Sequence, residues 1–268
     1  MLNLNFLRTI SAAVIMSFML IGCSTQSDSN TGQFSVLLHD APASYDEVNV
    51  FIERVEVNNG TDEEGWLTVG EPQQNFDLLE LTNGVLAPLG DVELEVGTYQ
   101  QIRLILSQDG HSVVIDGVSH DMFIPSGSQT GIKLNVNAEI EAGIDYVLLL
   151  DFDASRSVVV TGSENSGHNY LLKPVIKATN QAISGSIAGT ISPAEAKPVV
   201  YAIANGDTLS TTYADTTSGS FRLIGLNEGA YTVSINPTNT NFQSKDTTGV
   251  EVTIGETNDI GTIELDEN

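Results

Sequence analysis

From Gln33 onward the chain runs in short alternations of apolar and polar residues, broken at Gly, Asn and Asp, and it nowhere sustains a helical period. Glu47–Val57 (EVNVFIERVEV) is the longest of these runs. A period of two puts every second side chain on one face of a strand, so one face packs while the other meets water. β-Branched residues are enriched in the same runs, as a pleated, half-buried surface favours. The pattern predicts an all-β chain with at most one or two short helices. Asn59-Gly60 is a hairpin signal, with Trp66–Val69 as the return strand. Phe76–Leu81 is short enough to be a turn of helix, stopped at Asn83-Gly84. In Gly97–Leu106 the alternation predicts Tyr99, Gln101, Arg103 and Ile105 on one face. Tyr146–Phe152 reads as a buried strand and Tyr170–Thr179 as the last strand of a first unit. From Ile183 to Leu265 seven further strands are expected, at 183–190, 199–204, 208–214, 220–223, 230–235, 250–254 and 261–265. Seven short strands in roughly 85 residues, with turn signals between them, mark a small β-sandwich. The fold class expected is therefore two consecutive antiparallel β-sandwich modules, at 32–179 and 183–268.

Ahead of these units lies a different kind of segment. One cation, Arg8, precedes an apolar stretch of 12 residues, Ile10–Ile21, which ends at Gly22 and Cys23. A spanning helix needs about 20 apolar residues, so this stretch reads as a secretory signal peptide over 1–22. Leu20-Ile21-Gly22-Cys23 resembles the lipobox of bacterial lipoproteins. The resemblance implies cleavage before Cys23 and acylation of its thiol, with the lipid bilayer as the partner. Acyl chains contribute about 0.8 kcal/mol per buried CH₂, so a triacylated cysteine anchors stably. Residues 23–31 hold no apolar residue beyond Cys23 and read as a flexible tether. Ser24 rather than Asp follows the cysteine, which by resemblance to sorted lipoproteins favours the outer membrane of the cell envelope.

Cleavage would leave 246 residues with nine basic and 35 acidic side chains, a net charge near −26. A chain so acidic repels nucleic acid and anionic lipid surfaces. Cys23 is the only cysteine, so the mature chain has neither disulfides nor thiolate metal ligands, and its stability must come from packed cores.

Gly32–Thr179 resembles an exported bacterial and archaeal family, the domain of unknown function 4382 family. The matching segments are Phe34–Pro42, Val48–Val57, Phe76–Leu81, Gly97–Leu106, Pro125–Leu134, Leu150–Ala154 and Leu172–Ile176. The family carries no assigned activity. Residues 183–265 resemble the carboxypeptidase regulatory-like β-sandwich, a relative of transthyretin-like and starch-binding-domain-like folds. The segments that carry this are Ile183–Ile187, Ser218–Leu226, Gly229–Val233 and Ile263–Leu265. The resemblance implies a non-catalytic spacer or ligand-binding unit, in a wider fold with carbohydrate-binding members.

Asp151 and Asp153, two apart on a strand, share a face. With Asp40 they form a candidate Ca²⁺ site, since oxygen ligands suit that ion. The simpler readings are that Asp153 caps a turn at Ala154–Arg156, that Asp151 accepts backbone hydrogen bonds or pairs with Arg156, and that Asp40 makes an Asx-turn into Pro42. His39, His111, His120 and His168 lack paired spacing and read as surface or turn residues. Ser126, Ser128 and Thr130 lie in a polar loop without a nucleophile-elbow pattern. Tyr201, Tyr213 and Tyr231, with Trp66 and Tyr99, are candidate sugar-stacking residues if exposed and core residues if not. The expected function is a non-enzymatic cell-envelope lipoprotein presenting β-sandwich modules for binding, adhesion or spacing, with a glycan or another envelope protein as its partner and no required cofactor. The alternatives are a carbohydrate-binding protein using the C-terminal sandwich, whose partner is a glycan, and a metal-dependent hydrolase using Asp40, Asp151 and Asp153.

Overall fold

The structure is a computed structural model that describes residues 30–60, 65–125, 131–161, 169–181 and 184–268. Cys23 with the apolar stretch before it, Ser126, Ser128, Thr130 and His168 lie outside the described residues.

The chain is all-β. In the first unit β1 (Thr31–Ala41), β5 (Ala87–Glu95), β10 (Asp145–Asp153) and β13 (Ile176–Asn180) form a four-stranded sheet in the order β13-β10-β1-β5. Facing it is a nine-stranded sheet built around β2 (Glu47–Asn58). Its order is β11 (Val158–Val160), β12 (Tyr170–Leu172), β8 (Val118–Phe123), β7 (Ser112–Ile115), β2, β6 (Gly97–Leu106) and β9 (Ile132–Ile140). Two short strands, β3 (Trp66–Gly70) and β4 (Gln74–Asp77), also pair with β2. One 3-10 turn, Leu78–Leu81, follows β4, its N-terminus capped by Asp77. One helical turn, α1 (Ala154–Ser157), follows β10.

The second unit has the seven strands expected. β17 (Ser220–Leu226), β14 (Gly185–Ser192) and β20 (Thr257–Glu264) make one sheet. The other runs β16 (Asp207–Tyr213), β15 (Pro198–Ala204), β18 (Gly229–Pro237), β19 (Lys245–Val252).

Each unit closes over its own core. Phe34, Val36 and Leu38 of β1 alternate inward and meet Ile52, Leu104, Leu148 and Phe152. Ile187, Val200, Leu223, Val233 and Ile235 form a separate cluster. Burying each such side chain stabilises by roughly 1.5–3 kcal/mol, so the alternating rows account for both cores without a disulfide.

Three details depart from the expected pattern. The pairs β1–β10, β8–β12 and β14–β20 are parallel, because alternation fixes which face a residue takes but not the direction of its partner strand. Tyr99 does not share a face with Gln101, Arg103 and Ile105: a register shift between Tyr99 and Gln101 turns it inward beside Ile102 and Leu104, and it is buried. His39 and His111 are buried rather than exposed. His111 Nδ1 accepts from Phe51 N at 3.1 Å and its Nε2 lies 2.8 Å from Ser107 O, so both ring nitrogens are used.

Candidate functional site

The parallel register of β1 on β10 decides where the acidic residues point. His39 stands opposite Asp151, and Asp40 opposite Phe152. Residues opposite each other share a side of a sheet, and neighbours along a strand take opposite sides. Asp40 therefore points with Phe152 into the first core, while His39, Asp151 and Asp153 point outward to the second unit. On β13, Lys177 stands opposite Asp151 and extends this outward row. The expected grouping of Asp40 with Asp151 and Asp153 is thus divided by the sheet. Among the described residues no three His, Cys, Asp or Glu side chains are grouped to hold a metal ion.

Each carboxylate has its own surroundings. Asp40 is 1% exposed. Its Oδ1 accepts from Ala154 N at 2.9 Å, while Oδ2 is buried with no hydrogen-bond partner among the described residues. Burial pushes this carboxyl up to about 9; the Ala154 N–H pulls the other way, and the charges of Asp151 and Asp153 add to the rise. At neutral pH Asp40 is a carboxylic acid. Asp153 caps α1: its Oδ1 accepts from Arg156 N at 3.0 Å and from the Ser155 hydroxyl at 2.7 Å. Its Oδ2 is 3.9 Å from Arg156 Nε. Asp151 Oδ1 is 3.7 Å from His39 Nε2, too far for a hydrogen bond, and has no hydrogen-bond partner among the described residues. Burial raises the Asp151 carboxyl, opposed by His39 and Lys177. Burial likewise lowers His39, which favours its neutral form.

The aromatic candidates separate in the same way. Tyr231 is buried in the second core, with its hydroxyl donating to Asn227 O at 2.9 Å. Its ring offers no face to a ligand. Tyr201 and Tyr213 are half-buried. Tyr201 pairs with Thr211, and Val199 with Tyr213, so both rings lie on the outer face of their sheet. Trp66 is covered by cations, with Arg103 4.3 Å and Lys133 5.6 Å from its ring. Arg103 in turn pairs with Glu56.

Where the two units meet, these residues come together. A cleft of about 370 Å³ is walled on one side by Asp151, Asp153, Arg156 and Lys177 and on the other by Tyr201 and Thr208–Thr211. Lys177 Nζ crosses it to donate to Leu209 O at 3.1 Å. Beside the cleft, Leu149 on the outward face of β10 is 1% exposed yet belongs to neither core. It packs against the bare backbone of Gly225 on β17. Farther along the junction, Asn83 docks into the second unit. Its N–H donates to Thr212 Oγ1 at 2.9 Å, its Oδ1 accepts from Arg222 N at 2.6 Å, and its Nδ2 donates to Ser220 O at 3.4 Å. Sequence reasoning marks Asn83-Gly84 only as a stop, and Lys177 not at all. The φ of 58° at Asn83 fits the Asn-Gly signal, but the partner surface is more than 120 residues away and leaves no local trace.

A family model described as "Domain of unknown function (DUF4382)" matches residues 31–174. No curated protein matches the chain. Among solved structures, the Bacillus anthracis TIE protein is similar at 12% identity and a TM-score of 0.24, over 88% of this chain and 34% of that one. The chain thus spans about a third of that protein's length. The minor pilin GBS52 of Streptococcus agalactiae is similar at 13% identity and a TM-score of 0.24, over 88% and 96% of the two chains. The shaft pilin SpaA of Lactobacillus rhamnosus GG is similar at 9% identity and a TM-score of 0.23, over 89% and 98%. Scores this low assign nothing to the present chain.

Proposed function

The chain belongs to the DUF4382 family, whose description names no activity, and we propose that it is a non-enzymatic lipoprotein of the cell envelope that holds two joined β-sandwich units out from a membrane as a binding or adhesive arm. The observation that carries this reading is the junction. Asn83, Leu149 and Lys177 each tie the first unit to the second, so the two cores are held as one arm rather than strung on a free linker. The lipobox resemblance at Leu20–Cys23 supplies the anchor, and Ser24 favours the outer membrane. The second unit, which resembles the carboxypeptidase regulatory-like sandwich, then forms the distal end.

The acidic residues support a binding role over a hydrolytic one because they do not converge on one site. Asp40 is a neutral acid bonded to Ala154 N, Asp153 caps α1, and Asp151 stands on the other side of the sheet from Asp40. A glycan-binding role is a second reading, favoured by Tyr201 and Tyr213 sharing one half-exposed sheet face. Protease treatment of intact cells tests the arm: cleavage of the second unit without cell lysis is expected if it is displayed at the surface. Hydrolytic turnover by the purified chain, with no partner captured from envelope extract, would contradict the proposal.

A further inference from the structure

We infer that the cleft between the two units is a binding site for a neutral sugar, with Tyr201 as its stacking face and Asp151, Asp153, Arg156 and Lys177 as its hydroxyl partners. This deepens the binding role proposed above and rests on it. Four features of the cleft lead to that ligand class.

The first is charge. On a chain with a formal net charge of −25, this cleft gathers two carboxylates and two cations. An anion would gain from Arg156 and Lys177 what it loses to Asp151 and Asp153, and a cation the reverse. A hydroxyl-rich neutral ligand escapes this cancellation, because each hydroxyl donates to a carboxylate or accepts from a cation. The second is an unmet acceptor. Asp151 Oδ1 is buried with no hydrogen-bond partner among the described residues, although its carboxyl lines the cleft. Buried acceptors are normally paired, and a ligand hydroxyl would pair this one. The third is the facing wall. Tyr201 is half-buried on the outer face of β15, with Thr211 opposite it. An aromatic face attracts the slightly positive C–H face of a sugar ring, while the tyrosine and threonine hydroxyls remain for its edges. The fourth is size. About 370 Å³ falls within the roughly 300–1,000 Å³ of small-molecule sites. The cleft is composite: neither unit alone supplies both the aromatic face and the charged wall. It also differs from an open platform on the second sandwich, because Tyr213 shares the sheet face of Tyr201 but does not line the cleft.

The full chain as purified from cells would be applied to an array of neutral and acidic glycans. The neutral glycan best retained would then be titrated by calorimetry. Saturable binding that resists added salt is expected. Tyr201→Ala and Arg156→Ala should each weaken it by at least about tenfold, the scale of a lost charge-assisted contact, and Tyr213→Ala should leave it unchanged. The Arg156 side chain is 72% exposed, so its removal spares the fold, and Tyr201→Phe keeps the stacking face should Tyr201→Ala fail to fold. Retention of no neutral glycan, preference for acidic ones, or loss of binding with Tyr213→Ala but not Tyr201→Ala would overturn the inference. A displayed arm that fails these tests refutes the cleft and leaves the function proposed above standing; neutral-glycan binding by a chain that is not displayed does the reverse.

Discussion

Asp40 shows how little a residue's identity says about its role until its side of the sheet is known. Sequence brings out Asp40, Asp151 and Asp153 as notable carboxylates, and all three do sit near the same strand ends. The division of Asp40 from the other two comes from a pairing of β1 with β10 across more than 100 residues. No local pattern carries that register. The burial of Asp40 has a consequence with a definite sign. Its folded pKa is raised from 3.8 to about 9, so across that window the folded state keeps a proton that the unfolded state releases. The stability it contributes is complete at acid pH and is lost as pH rises toward 9. One proton changes stability by at most about 1.4 kcal/mol per pH unit. Asp40→Asn keeps the acceptor for Ala154 N and removes the titration. Relative to wild type, the variant should gain up to about 4 kcal/mol between about pH 5 and pH 8 in urea unfolding. An equal pH dependence for both chains would contradict the buried-acid assignment. Taking the difference between chains cancels His39, whose lowered pKa acts on stability in the opposite direction.

At the scale of elements, alternation and turn residues make most strands legible. Asn205-Gly206, Ser218-Gly219 and Asn227–Gly229 bound strands where expected, and Phe76–Leu81 divides into β4 and a 3-10 turn. What stays hidden is any contact that needs the absence of a side chain. Gly70 ends β3 where the backbone of β5 crosses it: a Cβ there would lie 2.2 Å from Leu89 O and 2.6 Å from Gly90 Cα. This crossing closes the corner between the two sheets of the first unit. Gly70→Ala must push the strands apart, and overpacking of this kind costs about 1–3 kcal/mol. A loss of that size in the free energy of urea unfolding is expected. The register shift beside Tyr99 is hidden too, because β6 advances two residues, from Tyr99 to Gln101, while its partner β9 advances three, from Ala138 to Asn135, and no local pattern in β6 records that.

For the whole molecule, two runs of strands with a short join are readable from sequence, but the way the units hold each other is not. Asn83, Leu149 and Lys177 look like a turn residue, a core residue and a surface cation. Only their placement on one face makes them a junction. Asn83→Ala forfeits the acceptor for Arg222 N and places Ala at a φ of 58°. A lost hydrogen bond of this kind costs about 0.5–1.5 kcal/mol, and a left-handed Ala about 1–2 kcal/mol more. Calorimetry should show one joint transition in wild type and two separated ones in Asn83→Ala. Asn83→Asp, which keeps the acceptor and tolerates the backbone, should restore much of the coupling. The arm matters only if it is anchored, so the most direct measurement is on Cys23. Cells fed radiolabelled palmitate should incorporate label into the wild-type chain and hold it in the membrane fraction. The Cys23→Ser chain should be unlabelled and soluble. A wild-type chain without label, or a Cys23→Ser chain that still sediments with membranes, would contradict the account.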